Sequence, residues 1–172
     1  MHADDTRQRR PVRSFVRREG RLTPAQRDAL ERLWPEYGLP APPAPLDPGS
    51  AFGRRAPLVL EIGFGNGESL VANAAAHPER DYLGVEVYRP GVGRLLHQLA
   101  QAGLTNVRVS QHDAVEVMQH QLSPGSITAI QLFFPDPWPK KRHHKRRIVQ
   151  PEWLRLAASR LALGGWLHMA TD

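Results

Sequence analysis

Residues 58–69 read LVLEIGFGNGES, and the architecture of the whole chain can be worked outward from them. Leu58 to Ile62 is an apolar run long enough for a strand and too short for a helix. Gly63, Gly65 and Gly67 at alternate positions let the chain turn tightly and bring bare backbone close to a ligand. Glu68 to Ala76 is rich in Ala and predicts a returning helix that stops at His77-Pro78. Strand, glycine turn and helix in that order open a βαβ unit.

The alternation continues downstream. Tyr82 to Val87, Val107 to Ser110, Ile127 to Phe134 and Trp166 to Ala170 are further predicted strands. Between them, helices are expected over Val92 to Ala102, closed by Gly103, over Ala114 to Leu122, and over Pro151 to Leu163, closed by Gly164-Gly165. The fold class is therefore α/β and Rossmann-like, a mostly parallel sheet with helices on both faces. Upstream, Thr23-Pro24-Ala25-Gln26 is a capping box with Pro at the first helical position, followed by a short helix with Ala29, Leu30, Leu33 and Trp34 on one side. Residues 40–48, PAPPAPLDP, hold five prolines and predict an extended linker. The expected organisation is a basic arm and short helix over 1–39, a Pro-rich linker over 40–53, and the α/β domain over 54–172.

Composition narrows the classes of function. With 172 residues, 41% hydrophobic and 23% charged, the chain suits one globular domain and not a disordered one. No run approaches the roughly 18 apolar residues of a membrane helix, and the polar, Arg-rich start is unlike a signal peptide, so a soluble protein without a membrane partner is expected. The absence of Cys excludes disulfides, thiolate metal sites and Cys nucleophiles, and is compatible with a reducing cytoplasm, the expected location. The eight His show no metal-like pairing except His143-His144, whose basic surroundings favour an RNA-facing role, so no metal is expected.

Charge is concentrated. Residues 1–21 hold seven Arg against Asp4, Asp5 and Glu19, and the eight residues Lys140 to Arg147, KKRHHKRR, carry +6. A total of +6 leaves the rest of the chain mildly acidic, the pattern of a polyanion binder. A solvated charge run is the plainer reading of either segment, weakened for the second because six cations in eight residues repel one another.

In open α/β sheets ligands bind at the carboxyl ends of the strands. Glu86, 19 residues past Gly67, is placed to accept the two hydroxyls of an adenosine ribose. The adenosine is common to NAD and S-adenosylmethionine. The spacing G-x-G-x-G, and Glu61 just before the glycines, favour the latter, because a carboxylate there repels a pyrophosphate and attracts a cationic amino group and sulfonium. Asp113 can take an adenine amino group, cap a helix, or do both. The fourth strand runs into FFPDPWPK, residues 133–140, where prolines stiffen the loop that presents Asp136 between aromatic residues and cations. A planar apolar surface beside a carboxylate and phosphate-binding cations suits a nucleobase, while an aromatic plug sealing the sheet is the structural alternative.

Together LEIGFGNGES, GVEVYRPGVGRLL, QHDAVEVM, LFFPDPWPKKRHHKRRIVQPEWL and HMATD closely resemble the bacterial tRNA (guanine-N7)-methyltransferase family, and RSFVRREGRLTPAQ resembles its N-terminal stretch. The resemblance runs over nearly all the chain from about Arg13, and FPDPWPKKRHHKRR is its most diagnostic part. It implies S-adenosylmethionine contacts at Glu61, Glu86 and Asp113, beside the turn of Gly63, Gly65 and Gly67. It implies catalytic and cofactor-side duty at Asp136, and tRNA contacts at Lys140, Arg142, His143, His144, Lys145, Arg146, Arg147 and Asp172. The reaction implied is methylation of guanine N7 in the tRNA variable loop, at tRNA position 46. The family continues past ATD with two further strands and a Thr-Lys-Phe-Glu motif that binds substrate, so the chain is expected to be C-terminally incomplete, aggregation-prone or weakly stable when made alone, with little or no methyltransferase activity. A non-catalytic RNA-binding module and an NAD-dependent oxidoreductase are the competing functions. Monomer and homodimer are both compatible with the sequence.

Overall fold

A computed structural model describes residues 20–135 and 147–170. Its centre is five parallel strands: β1 (Leu58–Ile62), β2 (Asp81–Val85), β3 (Val107–Ser110), β4 (Ile127–Phe133) and β5 (Leu161–Ala170). They lie in the order β3-β2-β1-β4-β5. β1 and β2 are buried along their whole length, as parallel strands covered on both faces must be. Between the strands run α4 (Glu68–Ala76), α5 (Arg89–Ala102), α6 (Ala114–His120) and α7 (Pro151–Arg160).

Strand alternation sends side chains to two separate cores. Leu58, Leu60 and Ile62 join Val117 and Met118 of α6 and Trp153 and Ala157 of α7 on one face. Val59 joins Leu70 and Ala74 of α4 and Val92, Leu95, Leu96 and Leu99 of α5 on the other. Fully burying each such Leu or Val stabilises by about 1.5–3 kcal/mol, so helices on both faces hold the strand ends in fixed relative positions.

The N-terminal segment belongs to the same body. α1 (Pro24–Arg32) starts at the expected capping box, with the Gln26 amide donating to Thr23 Oγ1 and the Thr23 amide donating to Gln26 Oε1. Pro35 then forces a new start, α2 (Trp34–Tyr37), because it lacks an N–H and clashes with the preceding turn. Ala29 and Tyr37 are buried in the second core. The Pro-rich stretch, expected to be an extended linker, is held to the domain as a strap. Gln121 Nε2 donates to the Pro40 and Ala44 carbonyls, and the Leu46 amide donates to the Gln121 carbonyl. The strap ends in α3 (Pro48–Phe52), capped by Asp47, with Arg108 over the Phe52 ring and donating to the Ala51 carbonyl.

One boundary differs clearly from the sequence reading. The helix expected to reach Leu163 ends at Arg160, and β5 begins at Leu161. Arg160 Nε donates to the Met118 carbonyl at 2.6 Å. Leu161 pairs with Ile127, and the register then slips so that Trp166 pairs with Ala129. The Gly164-Gly165 pair serves this bulge and not a helix cap, with Gly164 at φ +77°. β5 is the sheet's edge among the described residues, and Leu163, Trp166 and Met169 are exposed there.

Candidate active site

The carboxyl ends of β1 to β4 converge on one cleft of about 230 Å³. β1 contributes Ile62 and Gly63, β2 Val85, Glu86 and Val87, β3 the following His112 and Ala114, and β4 Leu132, Phe134 and Pro135. Ile148 closes one wall.

The glycine turn adjoins the cleft, with Gly63 in its lining. Gly63, Gly65 and Gly67 sit at φ +71°, +60° and +87°, in the left-handed region where other residues are strained. A Cβ on Gly63 or Gly65 would meet nothing within 4 Å, so these two line an open cradle. A Cβ on Gly67 would meet Leu95 of α5 at 2.6 Å, so that glycine serves packing. The turn is clamped from α5 by Gln98 Nε2, which donates to the Asn66 carbonyl at 3.0 Å. A Cβ on Gly91 would land on the Gly65 carbonyl oxygen, which is why α5 can approach so closely.

Glu61 lies in β1 between Gly84 and Gln131 in register, is 2% exposed, and has one oxygen, Oε2, without a hydrogen-bond partner. Burial alone pushes its pKa up to about 7. A buried carboxylate with no counter-charge suits a ligand that brings one.

Glu86 stands where expected, one residue beyond β2, but its carboxylate is already occupied. Oε1 accepts from the Val87 and Tyr88 amides at 2.7 and 2.9 Å, and Oε2 from the Gly65 amide at 3.0 Å. It thus ties the glycine turn to the start of α5 and keeps spare lone-pair capacity chiefly on Oε2. Bidentate capture of a ribose would require the Val87 and Tyr88 amides to release Oε1. Asp113 caps α6, with Oδ1 accepting from the Val115 amide at 2.8 Å, between the cleft residues His112 and Ala114. Arg147 is exposed and adjoins Ile148. Asp136, Lys140, Arg142, His143, His144, Lys145, Arg146 and Asp172 lie outside the described residues. Among the described residues no three His, Asp or Glu side chains come together as metal ligands, and no helix is long and apolar enough to cross a membrane.

The sequence reading assigned no role to His112 or Ile148, and took Phe134 only as one of the aromatic residues around Asp136 that could form a planar surface for a nucleobase. His112 lies two residues past β3 and Phe134 one past β4, the position that makes strand-end residues site residues; Ile148 carries no such signal.

Solved structures share this arrangement. The 30S ribosomal A1408 methyltransferase from an uncultured bacterium superposes with a TM-score of 0.51 at 14% identity, over 70% of this chain and 56% of that one. Phosphoethanolamine N-methyltransferase 2 of Haemonchus contortus, in complex with S-adenosyl-L-methionine, gives 0.50 at 16% identity, over 69% of this chain and 25% of that one. Likeness at such identity establishes the fold alone, an α/β sheet shared with these methyltransferases. Sequence carries the assignment further. A family described as "Putative methyltransferase" matches residues 55–172. The tRNA (guanine-N(7)-)-methyltransferase of Alkalilimnicola ehrlichii is 64% identical over 99% of this chain and 73% of its own length. That of Halorhodospira halophila is 61% identical over 96% and 72%. The chain belongs to the tRNA (guanine-N(7)-)-methyltransferase family.

Proposed function

We infer that this chain methylates N7 of a guanine in tRNA, at position 46 of the variable loop, using S-adenosylmethionine. The observation that carries the cofactor reading is Glu61, buried two residues before Gly63 and without a cationic partner among the described residues, next to a turn in which a Cβ on Gly63 or Gly65 would meet nothing within 4 Å. Its carboxylate fits the cationic amino group of S-adenosylmethionine and would repel the pyrophosphate of a dinucleotide. Gly63 and Gly65 leave room for the ligand, Glu86 turns its remaining lone-pair capacity on Oε2 toward the ribose, and Asp113 carries a second carboxylate oxygen toward the adenine side.

The cofactor supplies a methyl group on a cationic sulfur; guanine N7 forms the new bond with its lone pair while the C–S electron pair goes to sulfur, so no proton leaves N7. The enzyme's task is therefore alignment, and positioning of this kind is worth up to about 7–11 kcal/mol in intramolecular analogues. Asp136 orients the base through its N–H groups and stabilises the positive charge that the purine acquires. Lys140, Arg142, His143, His144, Lys145, Arg146 and Arg147 neutralise tRNA phosphates, and Asp172 adds a substrate contact two residues past β5.

The test is methyl incorporation into bulk tRNA from labelled cofactor, followed by nucleoside mass spectrometry. Label in 7-methylguanosine is expected; label in another nucleoside, or tRNA binding without incorporation, would contradict the reading. Asp136→Asn keeps shape and removes charge, and is expected to lower turnover far more than cofactor affinity.

A further inference from the structure

Two phenylalanines stand side by side where β4 ends, and the chain treats them oppositely. Phe133 keeps the strand's alternation and sets its ring edge-on to His168 of β5, with centroids 5.0 Å apart and planes at 85°. Phe134 departs from it. Its φ is +47°, which makes it the one non-glycine residue of positive φ among the described residues. Its amide donates to the Ala170 carbonyl at 2.8 Å, so β5 holds the backbone in that conformation. A bulky side chain is strained there. Burial does not compensate, because the residue is 66% exposed. Strain without packing, at the wall of a cleft, is what a residue placed for a ligand shows.

The sheet order says which ligand. Glu86 after β2 and His112 after β3 lie on one side of Gly63, and Phe134 after β4 lies on the other. The ring therefore stands across the cleft from the ribose side, where the base to be methylated must enter.

We propose that the target guanine stacks on the Phe134 ring, and that the ring holds the methylated, cationic purine more tightly than the neutral one. This rests on the methyl transfer proposed above. The N7–C bond forms as the C–S bond breaks with its electron pair left on sulfur, so one positive charge passes to the purine and no proton moves. An aromatic face carries the negative lobe of its quadrupole and attracts a cation placed over it. Stacking on the neutral base tightens substrate and transition state alike; the added attraction for the cation appears only as charge develops, and so it raises kcat.

Two measurements test this on the full chain loaded with S-adenosylhomocysteine. The first compares binding of 7-methylguanosine monophosphate and guanosine monophosphate. The wild type is expected to prefer the methylated nucleotide by about 3- to 30-fold. Phe134→Leu should remove the preference and leave S-adenosylhomocysteine affinity unchanged, and Phe134→Trp should keep it. The second replaces Phe134 with progressively fluorinated phenylalanines, which hold the ring's shape while draining its quadrupole; kcat on tRNA should fall stepwise with fluorination. Equal binding of the two nucleotides, or a kcat indifferent to fluorination in a chain that methylates tRNA, would overturn the stacking role and leave the reaction standing. A Phe134-dependent preference in a chain that forms no 7-methylguanosine would support the stacking and overturn the reaction. Failure to bind either nucleotide or to methylate tRNA would overturn both.

Discussion

Asp81 and Glu61 are carboxylates at nearly equal depth in neighbouring strands, 0% and 2% exposed, and each keeps one buried oxygen without a hydrogen-bond partner, yet only Asp81 has a cation beside it among the described residues. Asp81 begins β2 at the amino edge of the sheet. Its Oδ1 accepts from Arg54 Nε at 3.0 Å and Nη2 at 2.7 Å, and the same guanidinium donates to the Pro78 and Arg80 carbonyls. Glu61, close to the carboxyl edge of β1, has no such cation among the described residues, and burial raises its pKa to about 7. Asp81 thus takes its counter-charge from the chain, and under the function proposed above the amino group of the cofactor would bring the counter-charge for Glu61.

Opposite responses to substitution should expose this contrast. The largest effect is expected at the finished edge: Arg54→Ala strands Asp81 in the interior and should cost about 3 kcal/mol in urea unfolding, with S-adenosylhomocysteine affinity of the folded fraction unchanged.

Glu61→Gln should act in the other direction. The folded state holds the Glu61 proton more tightly than the unfolded chain, in which the carboxyl titrates near its ordinary 4.5. Below that pH the residue imposes no penalty; as pH rises toward about 7 the wild type loses stability, and above 7 the loss is complete. At 1.36 kcal/mol per pH unit the penalty reaches at most about 3 kcal/mol, so Glu61→Gln should gain about 1–3 kcal/mol at pH 8, gain nothing at pH 4.5, and lose cofactor affinity. Unfolding by urea across that range, with cofactor titration alongside, measures both.

Glu86→Ala is expected to weaken S-adenosylhomocysteine by about 1–3 kcal/mol, because the hydrogen bond to the Gly65 amide and the ribose contact go together. Unchanged affinity in calorimetric titration would remove Glu86 from the site. The smallest effect is spread over the basic segment. Replacing Lys145, Arg146 and Arg147 with Ala should flatten the log–log salt dependence of tRNA binding by roughly 0.7–0.9 for each phosphate no longer neutralised. An unaltered slope would return the segment to a solvated charge run.

The contrast also separates what the sequence discloses from what it hides. The strand and helix sequence was legible because apolar runs and Gly or Pro stops alternate regularly, and the glycine turn because G-x-G-x-G is written in consecutive positions. The end of α7 was not, since Leu161-Ala162-Leu163 suits a helix as well as a strand and only the pairing of Leu161 with Ile127 of β4 decides between them. Pro35 was visible but not read as a break: Trp34, expected on the first helix, starts a second one, α2, because Pro35 cannot continue the preceding turn. The position of Glu86 was legible, but its carboxylate is bound by amides of Gly65, Val87 and Tyr88 that no linear spacing brings into view. Phe134 was hidden more deeply: nothing in FFPDP says which of two adjacent aromatics takes a left-handed backbone and which packs on the sheet.

Calorimetry of S-adenosylhomocysteine binding between pH 6 and 8, in buffers of different ionisation heat, tests most directly whether Glu61 awaits a cationic ligand. The wild type should release a proton on binding below about pH 7 and gain affinity as pH rises through 7. Glu61→Gln should release none, which separates Glu61 from His112 and Glu86, protonatable side chains that line the cleft. Affinity independent of pH, with no proton released and no loss in Glu61→Gln, would contradict the account.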